Sequence, residues 1–309
     1  MTAPTASDQQ LPVLSLIPVP GKRQAIIDLA VEAEARGFAG IATPSVGGAI
    51  GFAVTLATST STIPFFTAIQ PTFFSVPREL GTIASHIHEL SGGRFRLGIG
   101  VSHAPMVKRF GDDPELSVVH RPLTQMRKYV EALRAGVGYS GELPPIWLAA
   151  LRHRMLDMAV EIADGALWAN ASRSSLPAQV RGLTRPDGFP LANMIPTVIS
   201  ADLEAARAIH RRTMGAYVVL PNYRNYWKES GYEGEMAAIE QAIADGERDR
   251  VASLMTDRWI DDVTASGPPE RIREIFAESY ATGVTPIAVM SSTTGGQAKA
   301  VRELFDTYA

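Results

Sequence analysis

The sequence contains no cysteine among its 309 residues, which removes disulfides, thiolate metal sites and cysteine nucleophiles together. It also lacks an excess of positive charge. Lys plus Arg total 29 against 32 Asp plus Glu, with no long basic run, so the electrostatic footprint of a nucleic-acid binder is missing and a small-molecule partner is expected. No apolar run approaches the roughly 18 to 20 residues of a spanning helix, so no membrane partner is expected. The opening MTAPTASDQQ has neither the basic start nor the apolar core of a signal peptide. These absences predict a cytoplasmic protein whose N-terminus is flexible over about residues 1–10. What remains is 46% apolar and 20% charged residues, the usage of an ordinary globular chain.

Short β-branched or apolar runs alternate with amphipathic stretches of helical period, the pattern of repeated βα units. Strands are predicted over 13–17, 38–43, 64–70, 95–101, 146–150, 165–170, 194–200 and 286–290. Helices are predicted over 22–36, 51–59, 77–90, 121–135 and 153–163, with Pro77 suited to a first turn and Gly37 and Gly92 to C-caps. Segment 172–191 has room for a short helix, and 201–283 for several. The expected fold is α/β: a single-domain (β/α)8 TIM barrel spanning 1–309, with a helical insertion over about 201–283 after the seventh strand. A doubly wound sheet fits less well. Gly98-Ile99-Gly100 lacks the third glycine of a dinucleotide fingerprint, and the first turn, Pro18 to Lys22, is not glycine-rich.

Four segments carry a family resemblance. Ser91-Gly92-Gly93-Arg94-Phe95-Arg96-Leu97-Gly98-Ile99-Gly100-Val101 is similar to the signature that ends the third helix and forms the fourth strand of bacterial-luciferase-like oxidoreductases. PIWLAAL at 145–151, AVEIADGA at 159–166 and SGPPE at 266–270 follow in the family's order. Within the family, Val101-Ser102-His103-Ala104-Pro105, Arg121-Pro122 and LPNYRNY at 220–226 resemble an actinobacterial subgroup of coenzyme F420-dependent oxidoreductases. The resemblance implies a flavin-type cofactor across the C-terminal mouth of the barrel, F420 rather than FMN, and a homodimer. It also implies a non-prolyl cis peptide at Ala68-Ile69, behind the cofactor ring. Two motifs depart from the family: Thr43-Pro44-Ser45 and Ser75-Val76-Pro77 stand where many members carry an Asp-His or Trp pair and an Arg-His-Pro. Roles of those side chains do not transfer.

In a (β/α)8 barrel, functional residues gather at the C-terminal ends of strands. The expected cofactor contacts are therefore Thr43, Ala68, Ile69, Gln70, Gly100, Ser102, Ala150, Leu151, Arg152, Trp168 and Asn170. Gly98 and Gly100 read as places where a ring approaches the backbone. Arg152, at a helix start, suits a cofactor phosphate. His103 follows a strand end and titrates near neutral pH, which makes it a candidate proton donor or ring-orienting contact; the alternative is a loop histidine bonded to backbone. His86 and His88 are two apart on one helix and point in different directions, and His153 and His210 read as surface or packing residues, so no metal is expected. Asp112, Asp113 and Glu115 read as a solvated loop. Tyr223, Tyr226 and Trp227 either line a substrate pocket or pack the insertion, and aromatic stripes favour packing. No Gly-x-Ser-x-Gly elbow supports a hydrolase. Three functions follow: hydride transfer between deazaflavin C5 and a carbonyl, imine or activated alkene; an FMN-dependent monooxygenase; or a barrel that binds a flavin-like ligand without turnover. Substrate identity is not written in these motifs.

Overall fold

The computed structural model describes residues 10–45, 48–101, 121–136 and 141–309. Two compact units divide the chain, the first formed by residues 13–167 and 184–191 and the second by the remainder.

In the first unit, β1 (Val13–Ser15), β2 (Gly40–Thr43), β3 (Phe65–Thr67), β4 (Gln70–Pro71), β5 (Phe95–Gly100) and β6 (Ile146–Ala149) lie parallel. Between them run α1 (Arg23–Ala35), α2 (Ala49–Ser59), α3 (Pro77–Leu90) and α4 (Pro122–Ala135), with α5 (His153–Ile162) following β6. Register sets the core: Leu14 faces Ile41, Ile41 faces Phe65, Phe65 faces Phe95, and Leu97 faces Ile146. All six are buried, as expected for parallel strands covered on both faces. Helix α1 buries Ile26, Leu29, Ala30 and Ala33, spaced at i, i+3, i+4 and i+7 so that one stripe meets the sheet. Pro77 and Pro122 open α3 and α4 in their first turns, where a missing N–H costs no helical bond.

The SGGRF motif proves to be structural at Arg94. Its guanidinium uses all five N–H groups: on the carbonyls of Ser91 (2.9 Å), Ile63 (3.0 Å), Ala57 (3.0 Å) and Thr60 (2.9 Å), and on the Thr60 hydroxyl (2.8 Å). It thereby joins the end of α2 to the start of β5. Glu34 of α1 grips the same loop, its carboxylate accepting from the backbone N–H groups of Ser61, Thr62 and Ile63 at 2.8, 2.5 and 2.9 Å. Burial raises the Glu34 pKa, and these N–H bonds outweigh it and hold the group below its ordinary value.

In the second unit, β7 (Gly165–Ala169) ends, and α6 (Leu176–Gly182) and β8 (Leu191–Ile199) follow. Then come α7 (Leu203–Val218), α8 (Pro221–Glu229), α9 (Glu233–Ala244), α10 (Val251–Leu254) and α11 (Asp257–Val263). The unit closes with β9 (Ala265–Gly267), α12 (Pro269–Ala281), β10 (Thr285–Ser291) and α13 (Gln297–Thr307). Asp202 caps α7 by accepting from the Ala205 N–H at 3.0 Å, and Thr256 caps α11 through the Trp259 N–H. Strand β8 pairs with β10 through Ile195 and Ala288, and with β9 through Thr197 and Ala265.

The sheet order β10-β1-β2-β3-β5-β6-β7-β8-β9, with β10 also bonded to β8, is the ring order of a (β/α)8 barrel. Two details differ from expectation. The third predicted strand is two pieces, β3 and β4, with the cis Ala68-Ile69 peptide between them. The segment of about 201–283, expected as a helical insertion, also contains β9, whose three residues are too few to show a strand period. Among the described residues no helix is long and apolar enough to cross a membrane.

Burial gives the second unit a pH signature. His210 of α7 is buried, its Nε2 lies 3.2 Å from the Ala265 carbonyl, and burial lowers its pKa from 6.5 to about 4. The unfolded chain then binds a proton near pH 6.5 and the folded chain only near pH 4. Stability from this group is present above the unfolded value and falls as the pH drops through this window, by about 3 kcal/mol in all. Urea melts from pH 7.5 to 4 on wild type and His210→Gln should show the acid loss reduced by that amount in the variant. Parallel profiles would contradict the assignment.

Candidate functional site

The strand ends of the first unit form a linked set. Thr43, at the end of β2, is fully buried; its hydroxyl donates to the Phe66 carbonyl at 3.3 Å, and its own carbonyl accepts from the Ala68 N–H at 2.8 Å. The chain then passes through the cis peptide to Gln70, which pairs with Ile99, as Pro71 pairs with Gly100. Gln70 donates through Nε2 to the Ser75 hydroxyl at 3.1 Å, and the Tyr129 phenol of α4 donates to the Ser75 carbonyl at 2.6 Å. Burial pushes the Tyr129 phenol far above its ordinary range, so it stays a donor. The loop after β4 is thus held from both sides.

Glycines 98 and 100 were expected to admit a ring, and the structure gives another reason for them. A Cβ on Gly98 would sit 1.9 Å from the Thr67 carbonyl oxygen, and one on Gly100 would sit 2.9 Å from both Ala149 Cβ and Ile69 Cδ1. The protein's own strands fill that space. Thr67 and Gly98 are also joined by a 2.6 Å hydrogen bond from the threonine hydroxyl to the glycine carbonyl.

Past β6, the buried Ala150 donates its N–H to the Leu167 carbonyl at 2.8 Å, and Leu151 and Arg152 lead into α5. The start of this helix has no capping side chain and no acidic residue in its first turn, and Arg152, His153 and Arg154 are all exposed there. The first-turn N–H groups of a helix, together with positive charge beside them, favour an anion.

In the second unit, β7 ends in two buried polar side chains. Trp168 Nε1 and Nδ2 of Asn193 on β8 have no hydrogen-bond partner among the described residues, whereas the Asn170 side chain hydrogen-bonds the Tyr217 phenol. Asn170 takes a left-handed backbone, φ 57°, which asparagine tolerates better than most residues. Its carbonyl accepts from Trp227 Nε1 at 3.1 Å. Trp227 is fully buried, edge-on to Trp259 at 4.8 Å, and the Tyr226 hydroxyl accepts from the Ser172 N–H at 3.2 Å. The aromatic stripe of α8 therefore packs, and it holds the loop after β7. In that loop the Asp262 carboxylate accepts from the Ser172 and Ser174 hydroxyls and the Ser174 N–H, a network spanning some ninety residues that no local motif announces. Ser102, His103, Asp112, Asp113 and Glu115 lie outside the described residues. Among those described, no cluster of His, Asp and Glu has the arrangement of a metal site.

Residues 13–286 match the model of the luciferase-like monooxygenase family. The chain belongs to that family of enzymes. It is 27% identical over 281 residues to 5,10-methylenetetrahydromethanopterin reductase of Archaeoglobus fulgidus, covering 80% of this chain and 82% of that one. Among solved structures it resembles the coenzyme F420-dependent tetrahydromethanopterin reductase of Methanopyrus kandleri (TM-score 0.71, 18% identity, 96% and 97% of the two chains). It also resembles an F420-dependent secondary alcohol dehydrogenase held with an F420–acetone adduct (TM-score 0.72, 12% identity, 97% and 98%). A further likeness is to the oxygenating constituent of 3,6-diketocamphane monooxygenase from Pseudomonas putida, in complex with FMN (TM-score 0.59, 16% identity, 90% and 92%). These structures establish the fold as a (β/α)8 barrel.

The Gly98 geometry makes a direct prediction. Gly98→Ala forces β3 and β5 apart, because the obstruction is a backbone carbonyl rather than a flexible side-chain end; overpacking of this kind costs on the order of 3 kcal/mol or more. A urea midpoint within error of wild type would show that the strands relax freely.

Proposed function

We propose that the chain is a coenzyme F420-dependent oxidoreductase that transfers a hydride between the deazaflavin C5 and a carbonyl, imine or activated alkene of a small organic substrate. The observation that carries this reading is the buried indole N–H of Trp168, without a partner among the described residues and next to the Asn170 amide at the end of β7. An unmade hydrogen bond on a buried donor costs about 1 to 3 kcal/mol, and ring carbonyls of a flavin-type cofactor are acceptors that suit it. FMN offers the same carbonyls, so the choice of F420 is supported by the named activities of the relatives.

When bound, the cofactor supplies hydride chemistry; the chain supplies position, exclusion of water and a proton. In this reading Thr43, Ala68, Ile69, Gln70 and Gly100 shape the wall behind the ring, Ala150 and Leu151 flank it, and Arg152 at the start of α5 holds phosphate. Ser102 is a further contact. His103, three positions beyond Gly100 in the sequence, holds the proton that balances charge developing on the substrate's oxygen or nitrogen, a role that contributes roughly 10²- to 10⁴-fold. The protein acts as a homodimer. The FMN-bound monooxygenase likeness keeps a second reading open, oxygenation with reduced FMN supplied by a separate reductase.

Fluorescence titration of the purified chain separates the two readings: micromolar binding of F420 and much weaker binding of FMN is expected, and the reverse order would overturn the proposal. Arg152→Glu places like charge beside the phosphate and should weaken F420 at least about tenfold; unchanged affinity would move the phosphate elsewhere. His103→Ala should lower turnover at least about tenfold with F420 affinity within a few-fold. Full turnover in that variant would remove His103 from the chemistry.

A further inference from the structure

Outside these strand ends, the second unit contains a cavity of about 290 Å³ where α12 leaves β9. Three guanidiniums line it, those of Arg173, Arg207 and Arg271, against one carboxylate, Asp261. That carboxylate is already engaged: Arg207 donates to its two oxygens through Nε at 3.0 Å and Nη2 at 2.6 Å. Arg173 is held differently. Its Nη2 donates to the Asp261 carbonyl and its Nε to the Asp262 carbonyl at 3.4 Å, while its Nη1 reaches only Glu278, at 3.8 Å. Carbonyls fix this cation in place, the carboxylates of Asp262, Glu278 and Asp261 attract it from a distance, and burial still pulls its pKa below the ordinary value.

Arg271, in the first turn of α12, pairs only with the exposed Glu274 (2.9 Å) and Glu278 (3.3 Å) of its own helix, the kind of surface pair that contributes little and exchanges readily. Gly267 lets it lie close: a Cβ there would be 2.9 Å from Arg271 Cβ. A second, independent sign is Ser266. Ser266 lines the same cavity, and its buried hydroxyl oxygen has no hydrogen-bond partner among the described residues.

We propose that this cavity is a binding site for a small oxyanion, a phosphate or carboxylate group carried by a free metabolite. The Ser266 hydroxyl and the guanidiniums of Arg173 and Arg271 donate to it, in the way arginine forks recognise planar or tetrahedral oxyanions. Leu203 and Ile275 supply an apolar border for the metabolite's carbon skeleton. The site shares none of the residues assigned to the cofactor and stands whether or not the cofactor is F420.

Isothermal titration of the full chain, without cofactor and at fixed ionic strength, tests the site with inorganic phosphate and, separately, with glutarate. Saturable binding of at least one is expected, and the tighter of the two identifies the group. Arg271→Ala should weaken it at least about fivefold and Ser266→Ala about threefold, while Arg134→Ala, an exposed change in α4, leaves it unaltered. Ser266→Ala removes only an unbonded hydroxyl, so it provides the answer if Arg271→Ala fails to fold. No saturable binding of either anion, or equal affinity in wild type and both cavity variants, overturns the proposal.

Discussion

The strand ends of the first unit depend on how closely β3 approaches β5. The Thr67 carbonyl occupies the place where a side chain on Gly98 would be, and the Thr67 hydroxyl returns a 2.6 Å bond to the Gly98 carbonyl. From that contact the chain turns through the cis Ala68-Ile69 peptide, so that β4 meets β5 again at Ile99 and Gly100. Ile69 and Ala149 then close the space beside Gly100. Glycine is needed at 98 and 100 because backbone and small side chains interlock there, and the position of Gln70 follows from that interlock.

Polar groups are satisfied with the same economy, which makes the exceptions informative. Arg94 uses every donor it has, Glu34 collects three backbone N–H groups, and Asp262 gathers the loop after β7. Against that background, Trp168 Nε1 and Ser266 Oγ are buried and unpaired among the described residues. Most buried polar groups in folded proteins have partners, and Trp168 and Ser266 lie where the cofactor and the oxyanion are proposed to bind.

The sequence was most legible where structure is local. The period of α1, the prolines opening α3 and α4, and the turn glycines Gly37 and Gly92, both at positive φ, all lie where the pattern put them. The barrel followed from counting βα units, and the cis peptide position from family resemblance alone. Long-range chemistry was not legible. Arg94 reads as part of a signature, yet its acceptors are mostly main-chain carbonyls of residues 57–63, which carry no side-chain code. Strand β9 is held by β8 rather than by its own composition. The Asp262 network and the fit at Gly98 join residues far apart in the chain, which a reading by windows does not see.

Isotope transfer reads out directly whether the chain moves a hydride between a deazaflavin and an organic substrate, as proposed. Purified protein, F420 reduced with deuterium at C5, and a panel of small ketones, imines and enones would be incubated without oxygen and the products read by mass spectrometry. The account predicts deuterium on the former carbonyl, imine or alkene carbon of at least one product, with matching return of oxidised F420. No label in any product, together with substrate-dependent oxygen uptake when reduced FMN is supplied in air, would contradict it.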